Sequence, residues 1–152
     1  MQKQQRMALF TNWICGILAG LLAGIVLGFT LKVMQYWSGK QIYTLLLNID
    51  FIVFIPVLSE MNEFILHLLV SVVLGVVYRM AVVSFGHPLY ISLFMSLMAA
   101  MLWIPLTLIS ERVPEVDDYA ALVLWFAGHL VFGFILYAVA GRKNCMIRLK
   151  RN

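Results

Sequence analysis

The sequence predicts an all-α integral membrane protein of four transmembrane helices, with one further segment that lies at the interface or re-enters. Three observations lead there. Of 152 residues, 63% are hydrophobic and only 12% are charged, against about 25% charged in a soluble domain. The mean hydropathy is +0.95. The apolar residues fall into long runs, and a run of about 20 residues crosses the hydrocarbon core. Length and composition suit a single membrane domain over 1–152.

The first helix is expected over about 13–31, after the polar start Met1–Arg6. Lys3 and Arg6 also precede a signal peptide in form, but this run exceeds the ~7–15 residue apolar region of such peptides and is followed by similar runs. The second helix is expected over 64–83, the third over 89–109 and the fourth over 119–140. Pro88 opens the third, where its missing N–H costs little, and Pro105 should kink or end it. The stretch 42–58 is apolar but holds Asn48, Asp50 and Pro56. An aspartate at mid-membrane costs about 3 kcal/mol on insertion scales, so an interfacial or re-entrant segment is expected here.

Charge sets the topology. With four spans, Lys3, Arg6, Arg79 and the tail residues Arg142, Lys143, Arg148, Lys150 and Arg151 share one side, which is eight of the eleven basic residues. All seven acidic residues fall opposite, with Lys32, Lys40 and Arg112. The positive-inside rule then puts both termini in the cytoplasm, with the basic tail 141–152 on anionic lipid headgroups. The net charge of +4 is a topology signal, and no nucleic-acid partner is expected. Cys15 lies in an apolar run and Cys145 in the basic tail, so no disulfide framework is expected.

Small and polar residues form stripes on these helices. Gly16, Gly20, Gly24 and Gly28 share one face of the first, and Gly75 and Gly133 provide close-approach points on the second and fourth. Such faces pack helices together, within one chain or between copies. His67, Ser71 and Tyr78 line a stripe on the second helix, Ser96 falls on the third, and His129 and Tyr137 on the fourth. Polar side chains avoid lipid, so these stripes should turn inward, as ordinary interhelical hydrogen bonds or as a path for protons or a small solute. Histidine ordinarily titrates near pH 6.5 and can carry a proton or sense acid. His129 is expected as the buried switch and His67 as the outer group through which protons arrive. His67 counts as three residues and His129 as about ten residues into their helices from the outer side, a depth offset of roughly 10 Å that argues against a shared haem. No cofactor or metal is expected, since neither zinc spacing nor a phosphate loop is present.

The pattern His67-x-x-x-Ser71 with Tyr78, Pro105-Leu106, and Gly128-His129-Leu130-Val131 resembles the YagU-like family of small bacterial inner-membrane proteins. The glycine-rich first helix is similar too. The resemblance implies a bacterial cytoplasmic membrane protein, loosely associated with acid tolerance and without an established catalytic activity. It does not extend to 42–63, where this chain is shorter. The function expected is proton or small-solute passage, or acid sensing, through the histidines. The alternatives are an assembly subunit on a larger membrane complex, and a lipid-modifying enzyme using His67 with Glu60 or Glu63. The partners expected are the bilayer and a second copy or larger membrane protein.

Overall fold

The computed structural model describes residues 2–48, 59–110 and 113–141. Among these are six helices: α1 (Gln2–Ser38), α2 (Ile42–Leu47), α3 (Glu60–Phe85), α4 (Pro88–Ala100), α5 (Trp103–Ile109) and α6 (Tyr119–Ala140). Four segments are long and apolar enough to cross a membrane: Leu9–Ser38, Glu60–Phe85, Pro88–Ile109 and Tyr119–Ala140. The fourth matches the expected bounds, and the first two run further at both ends. Arg79, counted among the charges of the cytoplasmic side though the expected helix 64–83 already held it, is buried inside α3.

The third span breaks at Met101–Leu102, between α4 and α5. Pro105 explains the position. It has no N–H to donate to the carbonyl four residues back, at Met101, and its ring crowds that carbonyl. Trp125 of α6 donates Nε1 to the Ala100 carbonyl at 2.9 Å and so satisfies a backbone group beside the break.

Helix starts carry their own chemistry. Ser59 accepts from the Asn62 N–H ahead of α3, and Asp118 accepts from the Ala121 N–H ahead of α6. Asp118 also pairs with Lys40 at 2.7 Å, tying the α1–α2 turn to α6. The short α2 hangs on α1: Gln35 Oε1 accepts from the Tyr43 and Thr44 N–H groups at 2.9 and 3.1 Å. The first six residues of the expected interfacial or re-entrant segment form this helix, with Ile42, Tyr43, Leu45 and Leu47 buried. Residues 49–58 of that segment lie outside the described residues, as do Arg142, Lys143, Arg148, Lys150 and Arg151.

The spans run up, down, up, down. Gly16 faces Val76 and Gly28 faces Phe64, so α1 and α3 are antiparallel. The same holds for α4 and α6, where Ser92 neighbours Gly133 and Ala100 receives Trp125. α1 lies between α3 and α6, and α4 packs on the far side of α6. The start of α1 and the end of α6 share one end of the bundle, the terminal end. The core runs through α1 and α6, with Ala19, Ala23, Leu27 and Leu31 against Trp125, Phe132, Leu136 and Ala140. Outward faces are apolar, as lipid contact requires, and Tyr36 and Trp37 stand exposed at the end of α1.

The glycine face of α1 is spent within the chain. A Cβ on Gly16 would lie 2.7 Å from the Val76 Cα, and one on Gly20 would meet the Ser71 carbonyl oxygen. Gly75 returns the contact from α3, against the Gly16 carbonyl and the Gly20 backbone. Backbones at this distance gain dispersion contact that lipid cannot supply.

Candidate functional site

α3 and α4 follow each other in sequence but touch little beyond their shared turn. A cavity of about 180 Å³ occupies the gap, roofed by Leu46 and Leu47 of α2. Its walls are mostly leucine, valine and phenylalanine. The polar residues on them are Glu63, His67 and Ser71 of α3 and His129 of α6.

Each histidine has a defined hydrogen bond. His129 is buried, and its Nδ1 lies 2.9 Å from the Trp125 carbonyl oxygen. A carbonyl only accepts, so Nδ1 carries the hydrogen and Nε2 is left as an acceptor. The half-buried His67 places Nε2 3.2 Å from the Gly24 carbonyl oxygen, so its hydrogen sits on Nε2 and Nδ1 is left as an acceptor. Ser71 Oγ is 3.5 Å from the same Nε2. The missing side chain at Gly24 is what lets Ser71 approach α1, since a Cβ there would lie 2.6 Å from the Ser71 Cβ and Oγ. The Trp125 ring packs on His129 with centroids 4.4 Å apart, and Trp103 lies behind it, tilted, at 6.0 Å.

The depth offset between the histidines is smaller than expected. α3 starts at Glu60, so His67 is seven residues in, against ten for His129 after Tyr119. At 1.5 Å per residue that leaves roughly 5 Å. The second helix begins four residues before the expected 64, which removes about half of the expected 10 Å. Among the described residues no group of three His, Cys, Asp or Glu side chains comes together to hold a metal ion.

The cavity adjoins a more polar one of about 380 Å³ at the loop end of the bundle. Leu47 and Glu63 line both, and Lys32, Gln35, Thr44 and Glu60 line the outer one. Lys32 pairs with Glu60 at 2.6 Å, and Tyr43 donates to the same carboxylate at 3.1 Å. Burial, then the bond to Glu60, raises the Tyr43 phenol to about 12, so it stays a donor. Toward the terminal end the cavity meets Leu74 and Phe132, beyond which Leu136, Tyr78 and Arg79 are buried.

Of the residues expected on a path, the structure brings His67, Ser71 and His129 together. Tyr78, Ser96 and Tyr137 lie off the cavity. Tyr78 donates to the Pro88 carbonyl at 3.1 Å and fixes the α3–α4 turn. Ser96 donates to the His129 carbonyl at 2.5 Å and clasps α4 to α6, where Gly133 makes room for it. Tyr137 is half-buried beside Gly141. Glu63, Trp125 and the Arg79 site escape a reading by stripes. Arg79 donates to Asn12 Oδ1 at 2.8 and 3.0 Å and to the Ala140 carbonyl at 2.9 Å, joining α1, α3 and α6. Asn12 lies near the start of the first apolar run and carried no pattern that marked it. Cys15, expected to be unpaired, is disulfide-bonded; Cys145 lies outside the described residues.

Comparison with protein-family models, curated proteins and solved structures finds no match to this chain.

Proposed function

We propose that this chain is a bacterial inner-membrane protein that senses acid by taking up protons on His129 and His67 from the outer face. One observation carries the reading. Two histidines from different helices share a cavity that adjoins a polar vestibule at the loop end and is closed by buried side chains toward the terminal end. A pocket closed on one side suits a sensor better than a through-path. Among the described residues, the titratable groups facing it are Glu63, His67 and His129, and α1, α2, α4 and α5 contribute none. Glu63, on the wall of both cavities, would relay protons to His67 one helical turn away. The resemblance to the YagU-like family supports the same reading, as does charge, which favours cytoplasmic termini with the basic tail on lipid headgroups.

Trp125 provides the readout. Protonating His129 puts a cation against the indole face 4.4 Å away, which quenches its fluorescence. In nanodiscs, emission should fall as pH drops from about 7.5 to about 4. His129→Asn keeps a donor for the Trp125 carbonyl but removes the basic nitrogen, and should abolish the response. An identical titration in that variant would refute the proposal. Proteoliposomes with an internal pH dye should show no acid-driven flux above empty vesicles; flux lost in a His67→Ala/His129→Ala protein would instead establish passage.

A further inference from the structure

The histidine cavity is open at the side. Its rim between α3 and the α4–α5 break includes Val70 and Leu102, which are 58% and 52% exposed on the face that lipid covers. A molecule dissolved in the bilayer reaches the cavity without crossing the polar vestibule. The volume, about 180 Å³, sets its size. A dry apolar cavity of about 150 Å³ binds benzene, so this one holds a single ring or a chain of about six carbons.

The polar wall sets the head group. Both ring N–H groups are spent on backbone carbonyls, so each imidazole presents only an acceptor. The complement is an O–H donor attached to an apolar body. Among the described residues, the titratable groups on the wall are Glu63, His67 and His129, and α1, α2, α4 and α5 add only apolar side chains to it.

We propose that the cavity binds a lipid-soluble weak organic acid of about the size of benzoic acid, which enters undissociated from the bilayer and gives its proton to His129. The acid's O–H bond breaks and an N–H bond forms at Nε2. A carboxylate is left beside an imidazolium, with no change in net charge. A paired product of this kind is the form in which charge is tolerated in a low-dielectric site. The proposal rests on the reading that His129 takes up protons, and it names the acid that delivers them.

The test is fluorine NMR of para-fluorobenzoic acid with the protein in phosphatidylcholine nanodiscs at about pH 5, against empty nanodiscs. para-Fluorotoluene serves as a ligand of the same size without an acid group. Saturable binding of the acid is expected, about ten-fold weaker in His129→Asn and lost in Ala99→Phe, which fills the cavity wall with a ring. Fluorotoluene should bind at least as weakly as the acid does in His129→Asn. The proposal is overturned by binding no greater than in empty nanodiscs, by binding that neither substitution changes, or by fluorotoluene binding as tightly as the acid. The ligand-free Trp125 titration separates the two readings. If quenching by acid persists while para-fluorobenzoic acid fails to bind, only the ligand assignment falls. If the quenching is absent as well, both fall.

Discussion

Arg79 shows how far a residue's role depends on what surrounds it. At an exposed loop position its guanidinium would be a topology charge. Inside α3 it is 1% exposed and donates to Asn12 and to the Ala140 carbonyl. Arg79→Met keeps the stem and removes the donors, leaving the Asn12 and Ala140 oxygens unmatched in a buried site. Denaturant unfolding of the purified protein should show a loss of about 2–3 kcal/mol. The two histidines were legible because ionisable residues are rare in apolar runs. Their meeting in one cavity was not legible. It depends on where α3 begins and on how α3 and α6 are juxtaposed around α1, and neither is written in the local spacing. Glu63 was visible only as a helical neighbour of His67, and its place on the wall of both cavities follows from α2 folding over it.

Helix existence was the most readable level. Four apolar runs of membrane length gave four spans, and Pro105 marked where the third would fail. The sequence did not show that the break would fall a turn earlier, because the carbonyl deprived of its donor lies four residues back. The glycine face of α1 was equally plain, but its partner was left open between another copy and another helix. α3 occupies it. Gly20→Val should therefore act inside the monomer: the branched side chain meets the Ser71 carbonyl and lies against the Val72 Cα, 2.8 Å from the Cβ position. The helices must part, costing at least about 2 kcal/mol. The thermal aggregation midpoint in detergent should drop clearly for Gly20→Val, while Leu22→Ala, on the lipid-facing side of the same helix, should change it little.

At the scale of the whole molecule, the loop end is held by Lys40–Asp118. The Lys40 hydrogen bond, then the Ala121 N–H, hold the Asp118 carboxyl below the usual aspartate range. A depressed folded value means that the contribution is complete above the ordinary aspartate value of about 3.9 and is lost as pH falls through the lower folded one. Melting of wild type and Asp118→Asn should therefore differ by a constant amount down to about pH 4 and converge below it. A response to pH that survives in Asp118→Asn and is lost in His129→Asn belongs to the histidine cavity. The α1–α6 contact at the other end has a consequence for biosynthesis. The chain is made from its N-terminus, and α1 and α3 can pair as soon as both are in the membrane. Yet Arg79 takes a carbonyl 61 residues further on, at the last turn of the last span. Until that span arrives, the hairpin carries a guanidinium missing one of its acceptors, so a nascent chain stalled after α5 is the form that quality-control proteases should find first.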